Sequence, residues 1–384
     1  MKFFHHLLAA CAATLLLLNA PAGAASVTPG SAEISPALAP ALARYQPRFG
    51  RTRPVIAVIG ENGSARSTTE LTDFVVPYSV LARSGLAQVI AVATAPGALH
   101  MRPAFTIEAQ ATTAQFDQRY PDGADYVIVP AVGYADDARL LAWLSSQHKA
   151  GATLVSICDG ALVLANGGFT RNHRATAHWD TQALRDEKYP DTHWVHNLRY
   201  VGDDKIISSA GISAALPLSL ALVEAIGGHD AAAALARQLG VTEWGTEHDS
   251  DIFLPRLGVN LHALAATLYT NRWWHAQQRF GVPLVPGIDE LTLALSADAY
   301  SRTGRSQVLS TAASAAPVVT ANGLLLLPDR VAGAADQPAD SLPSFVQVPA
   351  GLVLDQALAD IAGRYGAVTA YGVALSLEYP GFQP

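Results

Sequence analysis

The chain has 384 residues, half of them hydrophobic and 15% charged, with a net charge of −7. This is the composition of a globular enzyme or binding protein, with room for one large or two ordinary domains. A mildly acidic chain has no electrostatic footprint for nucleic acid, so a nucleic-acid partner is excluded.

From the start of the chain, residues 1–24 read as a signal peptide. Lys2 supplies the positive end, Leu7 to Leu18 the apolar run and Ala22-Gly23-Ala24 a small-residue cleavage site. The run is short for a spanning helix and no later stretch qualifies, so no stable membrane insertion is expected after cleavage. The mature protein should be periplasmic or secreted. Leu8-Ala9-Ala10-Cys11 mimics a lipoprotein site but precedes most of the apolar run. Cleavage removes Cys11, one of only two cysteines, so the mature chain has a lone thiol and no internal disulfide. Residues 25–50, rich in Ala, Pro and Ser, read as a flexible leader.

Strand and helix then alternate. Pro54 to Ile59 is an apolar strand, Leu71 to Arg83 a helix, and Ala87 to Ala93 a second strand. Tyr126 to Val129 is another strand, and Ala138 to Lys149 an amphipathic helix with Leu140, Leu141 and Leu144 on one face. Thr153 to Ile157 is a buried strand that turns at Cys158-Asp159-Gly160 into a short helix closed by Gly167-Gly168. Cys158 therefore sits in a nucleophile-elbow setting, where a helix N-terminus lowers a thiol pKa. A buried inert cysteine is the other reading. Lys205 to Ser208 is a last strand before the apolar helix Leu216 to Ile226. Apolar strands between helices imply a parallel sheet covered on both faces, with ligands at the carboxyl ends of its strands.

Several ordered motifs then converge: Asp125 to Pro130, Leu140 to Leu144, Cys158-Asp159-Gly160-Ala161, Arg174 to Trp179, Tyr189-Pro190 and Ser209 to Ala214. Together they resemble the ThiJ/PfpI superfamily of class I glutamine amidotransferase-like folds. Within it they are most similar to the amidotransferase-like domain of AraC-type transcriptional regulators and to isonitrile hydratases. The resemblance implies a flavodoxin-like three-layer α/β/α sandwich over residues 51–240, with Cys158 as nucleophile. It also implies an acidic partner in a Leu-Asp-x-x-x-Pro pattern, which Leu71-Thr72-Asp73-Phe74-Val75-Val76-Pro77 matches with one extra residue. Asp73 is then a general acid/base; without the resemblance it reads as a helix N-terminal acid favoured by the dipole. Glu61 and Glu70 are the fallback carboxylates.

His178, twenty positions after Cys158, could orient the thiol or protonate an intermediate, and could equally be a structural histidine beside Trp179. An oxyanion hole would use the backbone N–H of Asp159 and of Ala131. Two departures put ordinary amide hydrolysis in doubt. Asp159 replaces the His of PfpI-type proteases, and Pro130-Ala131-Val132-Gly133 replaces the Gly-Gly of relatives.

AraC-type regulators continue into a DNA-binding region, which is not expected here. Residues 241–281 read as a helical connector, and 282–384 as a degenerate half-repeat of the first domain. Glu290-Leu291-Thr292-Leu293 parallels Glu70-Leu71-Thr72-Asp73, and Ser301 to Val308 parallels Ala82 to Val89. Ser344 to Gly351 would correspond to the strand ending in Pro130-Ala131. A half-fold cannot close its own sheet, so it should pack on the first domain or on a second chain as a homodimer. Two functions follow. One is a cysteine-dependent hydrolase or hydratase acting on a small C–N or carbonyl compound, with no cofactor and no metal. The other is a non-catalytic ligand-sensing module.

Overall fold

A computed structural model describes residues 42–383 apart from residue 65. The expected signal peptide, and the leader up to residue 41, lie outside those residues. The first half is built around a seven-stranded sheet, whose strands and main flanking helices carry the site. In chain order these are β1 (Val55–Gly60), α1 (Leu71–Arg83), β2 (Gln88–Ala93), β3 (Ala111–Thr112), β4 (Tyr126–Val129), α2 (Ala138–Lys149), β5 (Thr153–Ser156), α3 (Gly160–Asn166), β6 (Tyr200–Asp203), β7 (Ile206–Ser209), α4 (Ala215–Gly227) and α5 (His229–Leu239). The sheet order is β6-β7-β5-β4-β1-β2-β3, parallel except for the β6–β7 pair.

The alternation of side chains along β1 produces the layers. Ile56 and Val58 point into one core with Leu71 and Phe74 of α1 and Leu218 and Leu222 of α4. Val55, Ala57 and Ile59 point into another with Leu140, Trp143 and Leu144 of α2 and Val163 and Leu164 of α3. A strand buried on both faces must be apolar throughout, which is why VIAVIG alternates nothing. The fold is a three-layer α/β/α sandwich of flavodoxin type.

The second half contributes β8 (Gln278–Pro283), α6 (Glu290–Ser301), β9 (Ser306–Ala312), β10 (Leu325–Leu327), α7 (Val353–Tyr365) and α8 (Ala367–Leu377). β8 and β9 pair in parallel, as β1 and β2 do, and two-residue strands at Arg330–Val331 and Asp340–Ser341 flank them. The boundary expected at 281/282 thus falls inside β8. The strand expected within 344–351 lies instead at Asp340–Ser341; Pro343 and Pro349 leave the later stretch as a loop and a 3-10 turn.

This half also completes structure in the first. β10 pairs antiparallel with Thr106–Glu108, joining a five-stranded sheet with Val318–Val319, Ala98–Arg102 and Thr69–Glu70. Helix α6 lies on α1, and Leu291, Ala294 and Leu295 enter the same core as Leu71 and Phe74. Among the described residues no helix is long and apolar enough to cross a membrane.

Candidate functional site

The elbow follows from three close approaches. Ile157 donates its N–H to Val129 O at 3.0 Å, Cys158 to Ala210 O at 3.1 Å, and Gly160 to Ile157 O at 2.8 Å. These hold Cys158 at φ +55°, in the left-handed region that side chains avoid, between the end of β5 and the start of α3. A non-glycine residue there costs about 1–3 kcal/mol, and such strain clusters at functional sites. Gly160 is required because a Cβ would sit 1.9 Å from Val129 O.

Asp73 comes to this elbow from the first turn of α1. Its carboxyl is fully buried; Oδ2 accepts the Ala131 N–H at 3.1 Å and Oδ1 has no hydrogen-bond partner. The 130–133 loop is fixed to the residues before α1 by Glu70 N–H to Ala131 O at 2.8 Å and Gly133 N–H to Thr68 O at 2.7 Å. Of the two amides expected to form an oxyanion hole, Ala131 is therefore engaged by Asp73. The Asp159 N–H is directed at the sulfur.

The thiol does not have the lowered pKa expected from a helix N-terminus. Burial pushes Cys158 well above its ordinary value, and the charges of Asp73, Asp159 and Glu70 add to this. Helix α3 has only seven residues, and Cys158 is 5% exposed; desolvation outweighs the dipole. Burial and the neighbouring Glu70 likewise raise Asp73 well above its ordinary value.

Asp159 faces away from α1. Its Oδ1 accepts from Thr181 Oγ1 at 2.6 Å, and Arg185, itself buried, donates to Thr181 Oγ1 at 2.6 Å. His178 belongs to that side too. Its Nδ1 accepts from the Asp180 N–H at 3.2 Å, capping the Trp179–Thr181 turn, and its ring lies 5.3 Å from that of Trp179. Its buried Nε2 has no hydrogen-bond partner. The ring is thus engaged in capping that turn, with no hydrogen bond to Cys158.

Of the fallback carboxylates, Glu61 is occupied in its own loop by Ser67 Oγ at 2.6 Å and Gly63 N at 2.7 Å. Glu70 is at the site: its Oε2 lies 3.1 Å from Arg102 Nε, and its Oε1 pairs with Arg302. Burial, offset in part by Arg302, raises Glu70 to about 7. Arg302 and its partner Asp298 come from the second half of the chain, and no local pattern announced them.

Glu378 was equally illegible. Its buried carboxylate, just after α8, accepts from Gly211 N at 2.7 Å, Trp179 N at 3.3 Å, His248 Nε2 at 3.0 Å and Ser250 Oγ at 2.5 Å. Burial alone would raise it; the His248 hydrogen bond and the charges of His178 and His248 hold it below the ordinary range. Among the described residues no group of three or more His, Cys, Asp or Glu could hold a metal ion.

Residues 64–225 match the DJ-1/PfpI family. Over 131 residues the chain is 30% identical to the HTH-type transcriptional regulator CdhR of Pseudomonas aeruginosa, a match covering 34% of this chain and 39% of that one. Solved structures similar to it include oxidized DJ-1 of Toxoplasma gondii, at 21% identity and a TM-score of 0.43 over 50% of this chain and 100% of that one. A ThiJ/PfpI family protein of Pseudomonas syringae matches at 22% identity and a TM-score of 0.42, over 50% and 80% of the two chains. With its sandwich and elbow cysteine, the chain carries a DJ-1/PfpI family domain, at residues 64–225.

Proposed function

We propose that this domain is a cysteine-centred hydratase or hydrolase for a small, neutral C–N or carbonyl compound, in an exported chain. The observation that carries the reading is Asp73 Oδ1, a buried carboxyl oxygen without a hydrogen-bond partner, on a side chain electrostatically coupled to Cys158. Buried polar atoms normally find partners, and one left open beside a strained cysteine is a group kept for a reaction. A protonated Asp73 would be the acid. It gives its proton to the substrate as Cys158 Sγ bonds to the electrophilic carbon, and the thiol proton passes to the Asp73 carboxylate. Water then adds at the same carbon and the C–S bond breaks, returning a proton to sulfur. For a hydration the net change is one added water; for a hydrolysis the C–N bond also breaks and the amine leaves with a proton. Neither path calls for a cofactor, a metal or nucleic acid.

Asp73→Asn keeps the shape and removes the acid. Turnover across a panel of small nitriles, isonitriles and amides should fall about 10²–10⁴-fold in Asp73→Asn and vanish in Cys158→Ala. The alkylation profile of the thiol should shift in Asp73→Asn, because interacting groups titrate as a pair. A thiol that titrates and alkylates in Asp73→Asn as in the parent would sink the reading.

A specific observation favours the second reading, a non-catalytic ligand-sensing module. Cys158 is nearly inaccessible and the Ala131 amide is already occupied. A cavity of about 300 Å³ lies between the two halves, lined by Val76, Ile212, Leu295, Leu352 and Tyr379 among others, and would take the ligand. In that case Cys158→Ala leaves ligand binding unchanged.

A further inference from the structure

The contact between α1 and α6 is tied by polar side chains at both ends. The helices run antiparallel: Thr72 at the start of α1 donates to Asp298 near the end of α6 at 2.7 Å, and Arg83 at the end of α1 meets Asp289 at the start of α6 at 2.9 Å. Arg302 occupies in the repeat the place that Arg83 has in the first domain, and it pairs with Glu70. One interface thus carries two ion pairs in different surroundings, and their arginines are repeat equivalents. The Arg83–Asp289 side chains are 25% and 33% exposed, whereas Glu70 is 6% exposed and sits beside Asp73 and Cys158.

Around Glu70 every charged neighbour is accounted for. Arg102 approaches one carboxylate oxygen from the Ala98–Arg102 strand, and Arg302 approaches the other. Arg302 is itself oriented by Asp298 Oδ1, 2.5 Å from its Nε, and Asp298 Oδ2 is fixed by Thr72. Asp73 follows on the same helix, and Cys158 faces them from the elbow. Glu70 stands at the N-cap of α1 but makes no side-chain cap, because its carboxylate is turned toward the two arginines.

We propose that Arg302 is a positioning residue of the Cys158 site: supplied by the C-terminal repeat, it fixes the Glu70 carboxylate beside Asp73, so the site is complete only when the two halves are docked. The inference rests on Cys158 and Asp73 being the reacting pair. Arg302 touches neither; it acts through Glu70, whose charge is felt by both. This also gives the repeat, with Leu293 where the first domain has Asp73, a role in the site of the other half.

The Arg83–Asp289 pair, at the other end of the same helix contact, supplies the control. Glu70 would be followed in the folded protein by carbon-13 NMR of labelled glutamate carboxyls, and Cys158 by its iodoacetamide rate against pH. The parent should show Glu70 titrating at about 7 and an inflection in the alkylation rate at the same pH. In Arg302→Met both should move upward by about one unit or more, in Arg302→Lys they should return toward the parent, and in Arg83→Met they should stay. Parent-like titration in a folded Arg302→Met overturns the proposal. So does an equal shift in Arg83→Met, which would make both pairs helix packing only. Should Arg302→Met not fold, Glu70→Gln decides: loss of the inflection supports the proposal and its persistence overturns it. A Cys158 that never alkylates in the folded parent sinks the catalytic reading alone, since the Glu70 titration still tests Arg302.

Discussion

At Gly160 the elbow admits no side chain, since a Cβ would overlap Val129 O. Gly160→Ala should cost about 3 kcal/mol or more, because the obstacle is backbone and cannot rotate away; a chemical denaturation midpoint close to the parent's would contradict this. Glu378 makes an opposite kind of demand. Its carboxylate is the acceptor for four donors, so Glu378→Ala strands buried N–H groups and His248 together. A loss of about 3 kcal/mol is expected, with the same measurement as the check. The pH sign follows from its lowered pKa: the stability it contributes is present above the unfolded carboxyl value and is lost as pH falls through the folded one.

Helix α1 concentrates the chemistry. It starts where apolar periodicity begins and ends before Gly85 at φ +68°, and Pro77 is carried inside it. Its N-cap is Glu70 and its first turn holds Asp73, and the folded pKa values of both are raised. A raised carboxyl has the reverse sign to Glu378. Its contribution is fully present below the unfolded value of about 4.3 and is lost as pH rises through the folded value, about 7 for Glu70. Between pH 5 and 8 the melting temperature should therefore fall, and Glu70→Gln should flatten that slope. An equally steep slope in Glu70→Gln would assign it to other groups.

Over the whole molecule the two halves share a core and a sheet. Removing residues 278–383 would uncover the α6-facing side of α1 and leave the Thr106–Glu108 edge unpaired. The truncated protein is expected to aggregate, as exposed apolar faces and open strand edges do. The full chain should unfold in a single calorimetric transition; two resolved transitions would mean that the halves are independent.

What the sequence determined by itself is local. The apolar runs at 55–60 and 126–129, the helix from Leu71, and the strand–turn–helix around Cys158 follow from residue spacing, because backbone pattern and turn chemistry act over a few residues. Even there, short edge strands such as Tyr200–Asp203 were missed, since Gly202 and Asp203 break the apolar run. The internal repeat was visible as matched segments, but not its docking. Tertiary structure alone decided the electrostatics. Arg302 reaches Glu70 across 232 positions and Glu378 reaches Gly211 across 167, distances over which no pattern carries information. The same holds for the thiol. A helix N-terminus can be read from spacing, whereas burial and three nearby carboxyls exist only once the chain has folded, and here they outweigh it.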